Sequence, residues 1–480
     1  MMYTILDCYT DEPSGLGVPP YIGTYPRYLA GALSILGKEI AYITIDDLRY
    51  PKKSKLKTDI ATYNKTNQDI RKIISNTKKL IVVAGIHTSG KYLSAIPATL
   101  KEIIRIIKPF KFRKILTGPA ASVYGSGIHG GKFSEKVDLS VFDEINENYL
   151  GINDYNKIRR YSIEGAFIVK NNPRYPNCIV EIETSRGCPR KVGCSFCTES
   201  LRKFEKRNIN DIINEVKALS DQGIKYFRLG KQSDFFARNK NEIEKLLRSI
   251  KEDVSPDVLH IDNINPSSVT ENKVKIVTKY CTPGNVAALG VESFDKNVIE
   301  QNNLNSDPDI TMNVIEIINK FGSIRGDNGM PLFLPGINIL FGLKGETKET
   351  HKINMRYLKE ILNRKLLLRR INIRQVVLYP YTKLYETTKT KFLRKNRKYY
   401  WKWRNEIRHS IDLPMLKNLC PKGTILRNVL TEIHNGNTTF CRQIGTYPLI
   451  IGIKEKLPLN QFINIEVTDH MLRSLVGRKI

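Results

Sequence analysis

Cys188, Cys194 and Cys197 stand together as C-x5-C-x2-C, directly after the segment Glu183-Thr184-Ser185-Arg186-Gly187 at the end of a strand-like run. Thiolates suit soft iron, and an iron–sulfur cluster held by three protein thiolates keeps one iron free for a substrate or cofactor. Zinc is the structural alternative, but a closed zinc site wants a fourth ligand. Cys178 lies upstream at the far end of the same strand, and no His is nearby. Eight cysteines in 480 residues are too sparse for a disulfide scaffold. The scattered ones, Cys8, Cys178, Cys281, Cys420 and Cys441, read as small buried apolar side chains.

Such a loop has to be held at a strand end, and the chain offers two alternating series of strands and helices. In the first, Tyr3–Leu6, Ile40–Ile45, Leu80–Ala84 and Lys114–Thr117 read as strands. Thr24–Leu36 and Leu93–Ile107 carry helical spacing, and the Lys-rich stretch Pro51–Lys79 is expected to hold another helix. This alternation builds a parallel sheet whose ligands sit at the carboxyl ends of the strands, where Gly15-Leu16-Gly17, Gly85 and Gly118 fall. A loosely patterned segment, Asn146 to Pro176, reads as a linker. The second series has strands at Ile179–Glu183, Tyr226–Leu229, Val258–Asp262, Val286–Gly290, Gly336–Phe341 and Ile371–Leu378. Helices such as Ile209–Gln222 and Asn241–Ile250 separate them. Six β/α units in about 200 residues fit a partial barrel with its site at the C-terminal mouth. Thr424–Val467 is strand-rich, with turns at Asn435-Gly436-Asn437 and Leu457-Pro458, as in a small antiparallel barrel. Gly-Thr-Tyr-Pro occurs at Gly23 and again at Gly445, which reads as chance.

Composition bounds the function. With 41% hydrophobic and 26% charged residues, the chain has the balance of a folded soluble protein. Its longest apolar runs, Leu80–Ile86 and Val286–Val291, are strand-sized and well short of the roughly 18 residues that span a bilayer. No membrane is expected, and the opening Met1–Cys8 reads as a strand and not a secretory signal, so a cytoplasmic location is expected. The net charge of +29 suggests RNA or DNA as a polyanionic partner. An A+T-rich genome, which inflates Lys, Asn and Ile, is the competing account. Lys391–Arg404 contains both tryptophans and no acidic residue. Cations beside aromatic faces hold phosphates and stack bases, whereas the bland reading is a basic helix with aromatics packed on the barrel.

The cysteine loop resembles the signature of the radical S-adenosylmethionine (SAM) superfamily, in which three cysteines hold a [4Fe-4S] cluster and SAM chelates the open iron. The common spacing there is C-x3-C-x2-C, and this loop has two extra residues between its first two cysteines. The resemblance implies Cys188, Cys194 and Cys197 as cluster ligands, with Phe196 near the adenine. Arg228-Leu229-Gly230-Lys231-Gln232 ends a strand where the family sets a glycine-rich segment against the SAM amino group, which implies Gly230 and Gln232. Leu289-Gly290-Val291-Glu292-Ser293 resembles the family's Gly-x-Glu-Ser, which implies Gly290, Glu292 and Ser293 on the ribose and carboxylate side. Gly342-Leu343-Lys344-Gly345-Glu346-Thr347 resembles a Gly-x-Pro-Gly-Glu-Thr turn, with Lys344 in place of Pro. The implied enzyme takes an electron from a reductant such as ferredoxin or flavodoxin. It cleaves SAM to methionine and a 5′-deoxyadenosyl radical that removes hydrogen from a substrate. His260, Asp262, Asn263 and Asn265 are candidates to line the substrate pocket, with a polar loop bonding its own backbone as the even alternative. No catalytic residue is singled out.

The expected fold class is α/β. Residues 1–150 form a Rossmann-like domain that resembles B12-binding domains in Pro19-Pro20-Tyr21-Ile22-Gly23, Tyr28-Leu29-Ala30 and Val82-Val83-Ala84-Gly85-Ile86. Residues 175–390 form a partial (β/α)6 radical SAM barrel, 391–415 a basic aromatic helical segment, and 420–480 a small β-barrel-like domain. The last resembles the TRAM-type barrel of tRNA methylthiotransferases at Gly423–Val429, Phe440-Cys441-Arg442-Gln443 and Val467-Thr468-Asp469-His470. Gly85-Ile86-His87-Thr88-Ser89-Gly90 has Gly where D-x-H-x-x-G has Asp, so nothing fixes the imidazole. Cobalamin stays open as a cofactor, and a scaffold without it is favoured. The layout resembles an uncharacterised, mainly archaeal group that usually ends in a helix-hairpin-helix, not found before Ile480. The function expected is RNA modification, on tRNA in particular, by methylation or methylthiolation. Methylthiolation usually takes a second cluster in the N-terminal domain, where only Cys8 lies. The alternatives are a radical SAM enzyme, with cobalamin as methyl carrier, acting on a protein side chain or small metabolite, and a non-enzymatic Fe–S or zinc protein that binds nucleic acid. The sequence does not give the oligomeric state.

Overall fold

The computed structural model describes residues 2–9, 21–49, 65–85, 95–122 and 137–480. Gly15-Leu16-Gly17, Pro19-Pro20, Ile86–Gly90 and residues 51–64 of the Pro51–Lys79 stretch lie outside the described residues, and the rest of that stretch holds the expected helix over Ile70–Asn76. The chain divides into two compact units, Met1–Glu183 with Arg207–Phe227 and Asp253–Pro256, and Thr184–Lys206 with Arg228–Glu252 and Asp257–Ile480.

The first unit contains β1 (Met2–Asp7), β2 (Tyr21–Ile22), α1 (Thr24–Ile35), β3 (Glu39–Thr44), α2 (Ile45–Leu48), α3 (Ile70–Asn76), β4 (Thr77–Val83), α4 (Leu100–Ile107), β5 (Arg113–Thr117), β6 (Glu144–Ile145), α5 (Tyr155–Glu164), β7 (Ile179–Glu183) and α6 (Ile209–Asp221). Its sheet runs β3-β1-β4-β5-β6 with every pairing parallel. The strands are largely buried, as expected of a parallel sheet covered on both faces. Leu6, Ile43, Leu80, Val82 and Leu116 pack with Ile103 and Ile107 of α4. That helix begins at Leu100, where the Thr99 hydroxyl caps it by accepting from the Glu102 N–H at 3.1 Å; Leu93, the expected start, lies outside the described residues.

The expected linker is a structured element instead. It carries α5, capped by Asp154, and a 3-10 helix over Ala166–Asn171. α5 meets α1 backbone to backbone, since a Cβ on Gly31 would stand 2.0 Å from the Tyr161 carbonyl oxygen. Arg27 and Arg207, both fully buried, share the buried Glu215 of α6. These tertiary partners order a segment whose own pattern is weak.

The second unit contains β8 (Ser185–Arg186), β9 (Glu205–Lys206), the last residues of β10 (Tyr226–Gly230), α7 (Lys240–Val254), β11 (Val258–Ile261), α8 (Glu271–Tyr280), β12 (Asn285–Glu292), α9 (Lys296–Asn302), α10 (Pro308–Gly322), β13 (Phe333–Phe341), α11 (Lys348–Asn363) and β14 (Arg370–Gln375). β12, β13 and β14 pair in parallel, and a parallel bridge from Ile264 to Leu289 carries the line from the end of β11 to β12. Side chains alternate across these strands. One face is apolar and buried, and the other, partly open, presents Gly290, Glu292, Asn338, Leu340, Arg370, Asn372 and Arg374. A face built of glycine and polar groups is made to meet a ligand rather than a core.

Three helices follow, α12 (Lys383–Thr388), α13 (Lys391–Ile407) and α14 (Leu413–Leu419). The chain then forms β15 (Ile425–Asn435), β16 (Thr438–Gln443), β17 (Ile451–Ile453), β18 (Phe462–His470) and β19 (Leu475–Lys479), closed in the order β15-β16-β17-β19-β18. Leu426, Val429, Cys441, Ile451, Ile465 and Val467 fill it. The expected class is therefore what the chain adopts: α/β, with a Rossmann-like parallel sheet, parallel β/α strands and a small terminal barrel. No helix among the described residues is long and apolar enough to cross a membrane.

Candidate active site

The cysteine loop starts beside the end of β10, where the Thr184 N–H donates to the Gly230 carbonyl at 3.3 Å. β8 and β9 pair antiparallel at its base. Gly187 sits at φ +71°, and a Cβ there would stand 2.5 Å from the Lys203 carbonyl oxygen, so only glycine fits. Its N–H donates to Glu199 Oε2 at 3.1 Å, and Ser233 Oγ donates to its carbonyl at 2.7 Å.

The longer spacing between Cys188 and Cys194 is pinned by two asparagines at the end of α9. Asn303, left-handed at the helix C-cap, donates through Nδ2 to the carbonyls of Val192 at 2.7 Å and Gly193 at 3.0 Å. Arg190 Nη1 donates to the Asn303 carbonyl at 2.9 Å and to Cys194 Sγ at 3.2 Å. Asn302 accepts from Ser195 Oγ at 2.9 Å and donates to the Lys344 carbonyl at 2.8 Å. One dipeptide thus fastens the cysteine loop to the Gly342–Thr347 turn. The sequence reading missed both asparagines, and no local signal marks them.

Burial pushes the Cys194 thiol up to about 11, against the nearby Arg190 guanidinium, and pushes Cys197 up further still. Cys188 adds to both shifts. Such thiols keep their protons until a cation offsets the charge. Among the described residues, no group of three or more His, Cys, Asp or Glu stands at the spacing of one shared metal ion. A [4Fe-4S] cluster asks for something else, since each cysteine binds its own iron. Three thiols on one loop, with a guanidinium donating to one sulfur, are a donor set that fits it.

Phe196 and Cys194 pack against Val298, Leu304, Leu343 and Val376. Gln232 is buried beyond the end of β10, where its Nε2 donates to the Leu229 carbonyl at 3.0 Å while Oε1 has no partner. An unsatisfied buried acceptor calls for a donor such as an ammonium group. The register between β12 and β13 shifts between Leu289 and Glu292, and Glu292 is left-handed at φ 60°. This bulge aims the carboxylate across Gly290, where an added Cβ would meet only Glu292 Oε1 at 3.6 Å. Burial pushes the Glu292 carboxyl up to about 7, opposed by Arg374. The unpartnered acceptor, the open glycine and the carboxylate fit the ammonium, ribose and cationic sulfur of SAM. Ser293 is not brought to that face: its hydroxyl donates to Asn354 Oδ1 at 3.4 Å and accepts from the Asp295 N–H at 3.1 Å.

The Gly342–Thr347 turn is closed by Glu346, which accepts from the Gly342 N–H and from Asn396 Nδ2 of α13, each at 2.7 Å. Burial raises its carboxyl to about 7. The two tryptophans of α13 part company. Trp403, 5% exposed, stacks on His351 at 4.9 Å, whereas Trp401 is 63% exposed with the Arg404 guanidinium 5.3 Å from its ring.

Of the four polar residues after β11, two stay on the loop: Asn263 donates to the Gln232 carbonyl at 3.2 Å, and the Asn265 N–H donates to Asp234 Oδ1 at 3.1 Å. Asp262 accepts from Arg228 Nη2 at 2.5 Å and from the Tyr447 hydroxyl at 3.0 Å. His260 accepts from the Thr446 N–H at 2.9 Å, and burial lowers its pKa to about 4. Thr446 and Tyr447 belong to the second Gly-Thr-Tyr-Pro, between β16 and β17. Far from idle, that tetrapeptide enters the β/α strands of its unit.

A family model described as the radical SAM superfamily matches residues 182–358. An uncharacterised protein of Methanocaldococcus jannaschii is 44% identical over 99% of this chain and 93% of its own length. The ribosomal protein uS12 methylthiotransferase RimO of Clostridioides difficile is 23% identical over 39% of this chain and 42% of its own. Among solved structures, the radical SAM methyltransferase TsrM of Kitasatospora setae matches with a TM-score of 0.52 at 13% identity, over 80% of this chain and 74% of that one. That last match speaks for the fold alone. With the cysteine loop, its flanking strand ends and the matching family model in agreement, the chain belongs to the radical SAM superfamily and is a radical SAM enzyme.

Proposed function

We propose that Cys188, Cys194 and Cys197 hold a [4Fe-4S] cluster, that Gln232, Gly290 and Glu292 receive SAM, and that the enzyme modifies RNA, tRNA in particular, by methylation or methylthiolation. When bound, the cluster supplies the electron that cleaves SAM to methionine and a 5′-deoxyadenosyl radical. Arg190 donates to a ligand sulfur, Asn302 and Asn303 hold the loop in place, and Glu292 offers charge to the cationic cofactor. The observation that carries the substrate class is Trp401: an open ring beside Arg404, on a helix that Asn396 ties to the Gly342–Thr347 turn. A net charge of +29 supports the same reading, as does the partial likeness to a methylthiotransferase. Residues 420–480 then serve as a TRAM-like RNA-binding barrel, and a ferredoxin or flavodoxin serves as reductant in the cytoplasm.

A second reading makes the enzyme cobalamin-dependent, acting on a protein side chain or a small metabolite. It is favoured by the parallel sheet of the first unit, where strand order reverses between β1 and β4, and by a TsrM structure that holds cobalamin. Anaerobic reconstitution tests both. A [4Fe-4S] spectrum that responds to SAM, 5′-deoxyadenosine after reduction, and a modified nucleoside missing from the tRNA of a deletion strain are the expected results. Retained cobalamin with unchanged tRNA favours the second reading. A colourless zinc protein that forms no 5′-deoxyadenosine sinks both.

A further inference from the structure

The open face of β14 carries two guanidinium groups, and the side chain of one of them, Arg370, makes no hydrogen bond or ion pair among the described residues. Arg370, Asn372 and Arg374 take its alternate positions. Asn372 Nδ2 donates to Asn338 Oδ1 at 3.1 Å, and Arg374 Nε donates to Asn372 Oδ1 at 3.2 Å. Of the nearby carboxylates, Glu292 acts on Arg374, and the other two have closer partners than Arg370. Asp262 takes Arg228 and the Tyr447 hydroxyl, and Asp412 pairs with Arg408. The guanidinium of Arg370 is thus left to a ring. It lies over the Tyr447 ring, 4.3 Å from the centroid, with Arg228 at 5.6 Å from the same ring. Arg408 is 3% exposed, and its Nε is buried without a partner. Burial lowers the Arg370 pKa, Tyr447 and Asp262 oppose that shift, and Arg374 and Arg408 add to it.

A half-buried guanidinium with no ion pair of its own, beside other cations, is costly unless a ligand supplies an anion. A guanidinium stacked on a ring has its plane fixed and its N–H edge left over, which suits a planar or tetrahedral oxyanion taken by two parallel hydrogen bonds. We infer that the open face of β14 binds an oxyanion of the substrate, phosphate or carboxylate, at Arg370 with Arg374 beside it, on a floor made by Tyr447. This rests on the proposed function only in taking the open β/α face as the place where substrate enters.

SAM carries a carboxylate of its own, so the test must separate the two anions. Holoenzyme with its cluster reconstituted is titrated calorimetrically at fixed ionic strength with inorganic phosphate and, separately, acetate, with and without saturating SAM. Saturable binding that SAM leaves unchanged is expected, weakened about tenfold or more in Arg370→Gln and unaltered in the exposed control Arg364→Gln. The tighter of the two anions tells which oxyanion the substrate bears. No saturable binding, equal binding in Arg370→Gln, or displacement of phosphate by SAM overturns the inference. If Arg370→Gln does not fold, the wild type suffices: phosphate should slow phenylglyoxal modification of Arg370, and an absence of protection is equally fatal. Loss of the radical reading would show as missing 5′-deoxyadenosine and would leave the anion titration standing.

Discussion

Arg190 Nη1 lies 3.2 Å from Cys194 Sγ and 2.9 Å from the Asn303 carbonyl, so one guanidinium nitrogen joins a ligand sulfur to the cap of α9. A cation and a hydrogen bond at a sulfur both favour the more negative, reduced state of a cluster. Arg190→Met is expected to lower the reduction potential of the reconstituted cluster by roughly tens of millivolts, with Arg190→Lys in between. Potentiometry followed by electron paramagnetic resonance measures it. Identical midpoints in wild type and Arg190→Met would refute the role.

Glu346 gives the protein a pH-dependent stability. Its folded pKa of about 7 lies above the roughly 4.3 of an unfolded glutamate. The folded state therefore binds more protons in that interval. The contribution is complete below the unfolded value and is lost as pH rises through 7. Glu346→Gln should flatten the decline in Tm of the cluster-free protein across this window, by the equivalent of about 1–3 kcal/mol. Parallel curves for variant and wild type would remove Glu346 from the explanation.

The two tryptophans of α13 should separate folding from RNA binding. Trp403→Ala opens a cavity beside His351 and Phe341 and is expected to cost about 3–5 kcal/mol of stability. Trp401→Ala should leave Tm nearly unchanged and weaken tRNA binding by the roughly 1–3 kcal/mol of a lost stacking platform. A Trp401→Ala protein that binds tRNA like wild type would count against the RNA reading.

In the first unit, Glu215 pairs with Arg27 through one oxygen and with Arg207 through the other. Glu215→Gln keeps the shape and removes the carboxylate that two buried guanidiniums share, for which about 3–5 kcal/mol of destabilisation is expected in urea unfolding. A loss under about 1 kcal/mol would mean that backbone acceptors, such as the Glu181 carbonyl that takes Arg27, carry the pair.

Much of the fold was legible because its parallel strands are short continuous apolar runs separated by helical spacing, a local property. The β12 and β14 regions were found this way, within a few residues of their ends. The cysteine loop was legible because its chemistry is concentrated in ten consecutive positions. Asn302 and Asn303 were not, since a helix C-cap that doubles as a clamp looks like any polar turn. Nor was α5, which owes its order to Gly31 and Tyr161, two residues far apart in sequence that must approach within the width of a backbone. Tyr447 was the most hidden: its partner Asp262 lies 185 positions away, and a repeated tetrapeptide carries no hint of direction.

The loop that delivers Thr446 and Tyr447 bears on how this chain can be taken apart. A terminal barrel attached only through a linker could be exchanged or deleted like a fitting on a tool. Here its β16–β17 loop is bonded to His260, Asp262 and Arg369. The barrel is inherited with the strands it touches: a chimera carrying a foreign barrel would have to bring a matching tyrosine loop, or rebuild residues 260, 262 and 369 to live without one.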